Sequence, residues 1–203
     1  PAVLSPYASP GPQDTRWICY TSGTTADPKG ARHSDATVGA FPRAMAERMR
    51  VTADSRYALT FPFPHIGGIG LLFMSLHTGC TLLLDDTVHP VDTIEFLSDQ
   101  RCTHAGTGAA FFSMYLAVQG EHTGPLFPEL VACPAGGAPT PIGIHRRVRA
   151  ELGAPVVSAW GLTEAPVLTS GALDDDAEHL ETTEGRPLPG VQAMFDYLEA
   201  TGR

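Results

Sequence analysis

The alternation of short apolar, β-rich runs with helical stretches is the feature that most restricts this chain's fold. Strands are predicted over residues 16–21 (RWICYT), 57–61 (YALTF), 80–84 (CTLLL), 102–105, 130–133 and 155–159 (PVVSA). Several of these runs are apolar without strict alternation, the pattern of parallel strands covered on both faces. Between them the spacing predicts helices over about 35–50, 68–77, 91–100, 109–119 and 141–152. Ser34 suits the N-cap of the first, and Thr140 the N-cap of the last, with Pro141 in its first turn. Repeated β-α units predict an α/β fold with a mostly parallel sheet flanked by helices. Ligands of such sheets gather at the loops leaving the carboxyl ends of the strands. The Gly-rich and polar segments that follow the strands are therefore the candidate sites.

Composition removes several classes. Hydrophobic residues make up 43% of the 203 and charged residues 17%, enough to bury a core. Thirteen basic against 22 acidic residues leave a net charge of −9 with no basic tract, which argues against nucleic acid or an anionic membrane as partner. No apolar run approaches the roughly 20 residues of a membrane span. The longest, residues 66–76, is interrupted by Gly67, Gly68 and Gly70. Cys19, Cys80, Cys102 and Cys133 form no CxxC or Cys/His cluster, so buried thiols in a reducing cytoplasm are expected rather than disulfides or zinc. Residues 1–15, with four prolines, read as a linker or a cut edge without signal-peptide character. Asp174, Asp175, Asp176, Glu178, Glu181 and Glu184 read as a solvated loop.

Directly after the first strand comes Tyr20-Thr21-Ser22-Gly23-Thr24-Thr25-Ala26-Asp27-Pro28-Lys29-Gly30. Glycines let backbone N–H groups approach an anion, hydroxyls donate to phosphate oxygens, and Lys29 adds a point charge. A Walker loop cannot be fitted, since five residues separate Gly23 from Lys29. Taken alone, a Gly/Ser/Thr-rich loop is better explained by a plain turn.

The full string resembles the phosphate-loop signature of the adenylate-forming (ANL) superfamily, which includes acyl-CoA synthetases, peptide-synthetase adenylation domains and beetle luciferases. Four more segments follow in that family's order. Phe61-Pro62-Phe63-Pro64-His65-Ile66-Gly67-Gly68 is similar to the segment whose histidine borders the acyl pocket in acyl-CoA synthetases. Ala135-Gly136-Gly137-Ala138-Pro139 resembles the adenine-side glycine turn, and Trp160-Gly161-Leu162-Thr163-Glu164 the aromatic-Gly-x-Thr-Glu motif. Gly185-Arg186-Pro187-Leu188-Pro189-Gly190 resembles the turn that comes next. The resemblance implies a partial AMP-binding domain over residues 16–203, similar to a subdomain of the acyl-CoA synthetase N-terminal domain.

By the same resemblance, Thr21, Ser22, Gly23, Thr24, Thr25 and Lys29 contact the ATP or AMP phosphates. Gly136, Gly137, Ala138, Trp160 and Gly161 flank adenine. Thr163 meets the AMP phosphate and the activated carboxylate, and Glu164 holds Mg²⁺. His65, Gly67 and Gly68 line the acyl pocket, the glycines being expected to leave volume for a bulky ring. Thr163, Glu164 and Lys29 are the expected catalytic groups. On residue chemistry alone, Glu164 is equally an exposed loop acid, Thr163 a turn hydroxyl, Trp160 a core aromatic and His65 a structural histidine.

The implied reaction joins a hydrophobic carboxylic acid, with bulky alicyclic acids among those expected, to ATP and transfers the acyl group to CoA. The stretch from WGLTEAPVLTS to TTEGRPLPG resembles bacterial ligases acting on alicyclic or steroid-like acids. The alternatives are an adenylation domain loading a carrier protein, or a non-catalytic nucleotide-binding half-protein. Two substitutions depart from the pattern. Ala26 stands where glycine is usual, costing about 1–2 kcal/mol if φ is positive there, and Trp160 replaces the commoner tyrosine. The family's ribose aspartate and C-terminal lysine domain have no counterpart in these 203 residues, so this chain alone is expected to lack acyl-CoA synthesis.

Overall fold

A computed structural model of the protein describes residues 11, 13–21, 27–85 and 89–191. The centre is the expected parallel sheet. β3 (Arg56–Leu59) pairs in parallel with β4 (Thr81–Leu84), and β5 (Cys133–Gly136) with β6 (Val156–Trp160). Residues 103–105 lie between the two pairs. His104 bridges to Tyr57 on one side and to Ala132 on the other, both parallel. Two short antiparallel strands, β7 (Thr169–Ser170) and β8 (Arg186–Pro187), extend the β6 edge.

The first strand departs from expectation. β1 (Thr15–Thr21) does not join the parallel sheet but forms an antiparallel hairpin with β2 (Lys29–Ser34). β2 escapes sequence reading because KGARHS carries no apolar run. Its strand state comes from pairing with β1, and most of its residues stay outside the core. The Gly/Ser/Thr-rich segment is therefore a hairpin connection between two strands, not a strand-to-helix turn.

Helix α1 (Asp35–Arg48) begins as predicted at Ser34. The Ser34 hydroxyl accepts from the Thr37 amide at 3.2 Å, and the Thr37 hydroxyl accepts from the Ser34 amide at 3.0 Å, a reciprocal cap that satisfies two otherwise orphaned donors. α2 (Ile66–Thr78) ends at Gly79, whose φ of 78° suits glycine. α3 (Pro90–Asp99) and α4 (Ala109–Gln119) follow the predicted spans. α5 (Ile142–Arg147) runs into a single π-helical turn over Val148–Leu152. Thr140 is not its N-cap: Pro141 holds that position, and among the described residues no side chain caps the helix and the buried Thr140 hydroxyl has no partner. A short α6 (Ala177–Thr182) precedes β8.

Both faces of the sheet are covered, which is why its strands show no polar alternation. Ala58, Leu83, Ala105, Cys133 and Val156 pack with Ile94 and Leu97 of α3 and Phe112, Tyr115 and Leu116 of α4. Tyr57, Leu59, Ala132 and Val157 pack on the other face with Ala46 of α1 and Leu71 and Met74 of α2. All four cysteines are buried and unbridged. Burial pushes the Cys102 thiol up to about 12. No helix among the described residues is long and apolar enough to cross a membrane.

His104 is the polar centre of this core. It is fully buried and stacks on Tyr57 with ring centroids 5.2 Å apart and 7° between planes. Its Nε2 donates to the Met49 carbonyl at 3.0 Å, and its Nδ1 lies 2.9 Å from the Thr103 hydroxyl. Desolvation by burial lowers its pKa, outweighing the Met49 hydrogen bond, which favours the charged form. The unfolded chain, with an ordinary value near 6.5, therefore takes up a proton first as pH falls. Stability is fully present above about pH 7 and declines as pH drops through 6.5 toward the lowered folded value. Urea unfolding at pH 7.5 and 5.5 is expected to show lower stability at the acid end, and a smaller difference in His104→Gln. Some slope will remain from His145, whose pKa burial also lowers. An unchanged pH difference in His104→Gln would refute this origin.

Candidate functional site

Four parallel segments release their loops at one edge of the sheet. β3 leads to Thr60 and the turn before His65, residues 103–105 lead to Gly106, β5 to Gly137 and β6 to Gly161. The register opposes Ala135 to Ser158 and Gly136 to Ala159, which places the Gly136-Gly137 turn beside Trp160. Each glycine has a distinct reason. A Cβ on Gly136 would stand 3.2 Å from the Ala159 carbonyl oxygen, whereas Gly137 has open space but a φ of 80°. Ala138 and Pro139 complete the turn and are exposed. The Trp160 ring is 39% exposed, so it is not the core aromatic that composition alone allows.

Beyond Trp160 the chain doubles back. The Leu168 amide donates to the Trp160 carbonyl at 2.7 Å, and Leu162 and Ala165 exchange backbone hydrogen bonds at 3.1 and 3.2 Å. Thr163 and Glu164 thus occupy the two tip positions of a closed turn. Gly161 makes the fold-back possible, because a Cβ there would lie 2.3 Å from the Val167 nitrogen. Val167 itself sits at φ 50°, a left-handed conformation that costs a β-branched residue about 1–2 kcal/mol. Glu164 is exposed and forms no ion pair or hydrogen bond among the described residues. Its carboxylate is thus free to take a hard cation as oxygen ligand.

The hairpin supplies the cationic side. Thr21 faces Lys29 across its neck, and the Thr21 hydroxyl donates to the Lys29 carbonyl at 3.5 Å. Lys29 is exposed. Ser22, Gly23, Thr24, Thr25 and Ala26 lie outside the described residues. The hairpin is pinned to α1 by Trp17, whose indole N–H donates to Asp35 at 2.9 Å. It is pinned to the Thr163-Glu164 turn by His33. This histidine is 3% exposed, and its Nε2 donates to the Thr163 carbonyl at 2.8 Å.

On the remaining side, His65 is the N-cap of α2. Its Nδ1 accepts from the Gly67 amide at 3.1 Å and its ring meets Phe61 edge-on at 5.7 Å. The expectation that the glycines after His65 leave open volume is overturned. A Cβ on Gly68 would lie 2.3 Å from the Phe63 carbonyl oxygen, one on Gly70 would lie 2.2 Å from the Phe41 ring, and Gly67 faces His65 and Phe61. These glycines are close-approach positions that seat α2 against the preceding turn and against α1.

Two structural contributors carry no sequence signal. His33 belongs to no ligand spacing and sits in a polar strand. Arg48, at the end of α1, donates to the carbonyls of Ser170, Arg186 (2.7 Å) and Pro187 (2.6 Å), while Arg186 pairs with Asp175 at 3.1 Å. This grip holds the Gly185–Gly190 turn. Gly185 is at φ 76° with Ser170 backbone where a Cβ would be, which explains the glycine of that motif. Because Asp175 is engaged in this way, the acidic cluster is partly structural rather than wholly solvated.

Comparison with known proteins agrees with this layout. A family model described as AMP-binding enzyme matches residues 3–195. The chain is 29% identical over 190 residues to 3-[(3aS,4S,7aS)-7a-methyl-1,5-dioxo-octahydro-1H-inden-4-yl]propanoyl:CoA ligase of Rhodococcus jostii strain RHA1, covering 93% of this chain and 37% of that protein. It is 31% identical to the ligase of the same name from Mycobacterium tuberculosis strain H37Rv, covering 98% and 43%. Against 2-succinylbenzoate–CoA ligase of Bacillus subtilis strain 168 it is 30% identical, covering 74% and 30%. The chain thus spans less than half the length of these relatives. Among solved structures, the N-terminal domain of FACL13 from Mycobacterium tuberculosis superimposes with a TM-score of 0.79 at 24% identity, over 91% of this chain and 46% of that one. The o-succinylbenzoate CoA synthetase MenE of Bacillus subtilis, solved with ATP and magnesium ion, gives 0.74 at 24% identity, over 88% and 37%.

The two kinds of glycine separate experimentally. Gly161→Ala forces backbone against backbone and is expected to destabilise the chain by about 1–3 kcal/mol, as overpacking does. Gly137→Ala meets nothing, and its left-handed cost of about 1–2 kcal/mol is partly offset by a stiffer unfolded chain. Urea midpoints of the two variants decide the matter. A larger loss for Gly137→Ala would show that the fold-back at Val167 is looser than described.

Proposed function

This chain belongs to the AMP-binding enzyme family, and from that membership we propose that its protein is an ATP-dependent carboxylate–CoA ligase acting on a hydrophobic, ring-bearing acid. The observation that carries the reading is the closed turn at the end of β6. It presents Thr163 and the unengaged Glu164 carboxylate next to the exposed Trp160 ring and the Gly136-Gly137 turn, at the sheet edge where α/β proteins bind ligands.

In the first step a carboxylate oxygen of the acid attacks the α-phosphorus of ATP. The bond to the bridging oxygen breaks and pyrophosphate leaves, giving the acyl-adenylate. In the second, the thiolate sulfur of CoA bonds to the acyl carbon and AMP departs. The chain's task in the first step is to align carboxylate and α-phosphate and to meet the phosphoryl charge. Lys29 and Thr21 would face the phosphates from the hairpin, with Ser22, Gly23, Thr24 and Thr25 of its connection. Trp160 offers a face for adenine, with Gly136, Gly137, Ala138 and Gly161 close by. Thr163 would donate to the α-phosphate and the activated carboxylate. Glu164 would hold Mg²⁺, which when bound neutralises polyphosphate charge. His65 would border the acyl group, its Nδ1 being engaged with the α2 N-terminus.

The names of the relatives support an acid with a ring system. They act on an octahydroindenyl propanoate, on 2-succinylbenzoate and, in Aromatoleum aromaticum, on indoleacetate. They also support CoA as acceptor over a carrier protein, and the nucleotide-bound neighbours support ATP with Mg²⁺.

In the full-length protein, Glu164→Ala is expected to lower acid-dependent ATP–pyrophosphate exchange about 100- to 1,000-fold, the scale of losing one aimed electrostatic contact. Lys29→Ala should cost less, since Lys29 is one exposed cation sharing the polyphosphate charge with the Mg²⁺ that Glu164 would hold. Exchange that is unchanged in Glu164→Ala would contradict the metal assignment. A series of acids from acetate to fused-ring propanoates should show kcat/KM rising with bulk, and a preference for acetate would refute the substrate class.

A further inference from the structure

We propose that His33 is a positioning residue that sets the spacing between the phosphate-side hairpin and the Thr163-Glu164 turn through its Nε2–H bond to the Thr163 carbonyl. The proposal deepens the ligase reading and rests on it.

The two elements it joins are 130 positions apart in sequence. They belong to different sheets, since among the described residues the hairpin strands pair only with each other while the turn leaves the parallel sheet. A carbonyl oxygen only accepts, so Nε2 carries the proton and the histidine has a defined donor role. The donor comes from a rigid base. His33 immediately precedes the Ser34 cap of α1, pairs with Trp17 across the hairpin, and lies four positions from Lys29 on the same strand. Trp17 and Arg16 meet Asp35 on the first turn of α1 at 2.9 and 3.4 Å, so strand, hairpin and helix are tied to one another. The acceptor, by contrast, belongs to a two-residue tip closed by two backbone pairs and strained at Val167.

A buried donor fixed on the stiff side therefore registers the strained side against it. Thr163 receives the bond on its backbone, which leaves its hydroxyl and the Glu164 carboxylate free to face a ligand. Removing the donor would leave a carbonyl without its partner and a turn free to shift relative to Lys29. The consequence belongs to the step in which both must meet one polyphosphate. The apolar body of the acid, which would lie beside His65, does not touch this link, so its contribution to binding is untouched.

The test compares His33→Leu and His33→Gln in the full-length protein. Glutamine places an amide nitrogen the same number of bonds from the backbone as imidazole Nε2 and can renew the donor, while leucine fills the space without one. His33→Leu should lower kcat of ATP–pyrophosphate exchange about 10- to 100-fold, as loss of an orienting partner commonly does. KM for the acid should change less than threefold, and His33→Gln should recover most of the rate. Amide hydrogen exchange supplies a readout independent of activity. The amides of Ala165 and Leu168, which close the turn, should exchange faster in His33→Leu and at the native rate in His33→Gln. Unchanged protection in His33→Leu, equal impairment of both variants, or a change confined to KM would overturn the proposal. A wild-type protein that exchanges no pyrophosphate with any acid would overturn the ligase reading instead, while the amide rates would still reveal whether the link exists.

Discussion

The three residues 103–105 are the constraint on which the rest of the molecule depends. On one side the Thr103 amide donates to the Arg56 carbonyl at 2.9 Å and the His104 carbonyl accepts from Ala58 at 2.9 Å. On the other, the Thr103 carbonyl accepts from Val131 at 2.8 Å and the Ala105 amide donates to Ala132 at 3.2 Å. Without this segment the β3–β4 pair would be a two-stranded ladder, marginal in water, separate from the sheet of β5 to β8. With it they form one sheet whose parallel strands all point their carboxyl ends the same way. The His104 side chain reinforces the junction from within by reaching Met49, which follows α1, so one buried residue ties the middle of the sheet to a covering helix.

The antiparallel parts are further tied to one another and to α1 by side chains that reach backbone carbonyls, β7 and β8 also pairing onto β6. His33 reaches the Thr163 carbonyl from the hairpin, and Arg48 reaches three carbonyls of β7 and β8 from the end of α1. Both links have the same chemistry. In each, a fixed N–H donor meets backbone carbonyls of a peripheral segment, the Thr163-Glu164 turn for His33 and the short β7 and β8 for Arg48, and so defines where that segment sits. α1 is the common base, since the His33 strand enters its capped N-terminus and Arg48 stands near its C-terminus. One helix thereby orients the hairpin at one end and the Gly185–Gly190 turn at the other.

Much of this was legible from the chain. The span of α4, the Ser34 cap, the strands β3, β4 and β6 and the loops bearing the candidate groups follow from periodicity and capping chemistry, which act over a few residues. The strand expected over 130–133, by contrast, lies at Cys133–Gly136, and 102–105 forms only isolated bridges. The glycine-rich motifs were legible as motifs, but their physical causes were not. Gly161 and Gly185 yield to backbone approaching from residues distant from them in the loop or in the sequence, and Gly68 and Gly70 yield to Phe63 and Phe41. A single sequence shows a glycine without showing which atom occupies the space of the missing side chain. That is why the glycines after His65 read as open volume and proved to be packing surfaces.

By itself, then, the sequence determined the parallel α/β class, most element boundaries and the identity of the groups offered at the sheet edge. Those depend on local periodicity and on motif chemistry carried by adjacent residues. Only the tertiary structure decided that the Gly/Ser/Thr-rich segment joins two antiparallel strands, that Thr140 caps nothing, and that His33 and Arg48 fasten the peripheral loops. Pairing of KGARHS with β1, and a hydrogen bond between positions 33 and 163, are settled by which backbone groups are left unsatisfied once the sheet has closed. That balance exists only in the folded chain, where burial makes each unmet donor and acceptor costly enough to choose its partner.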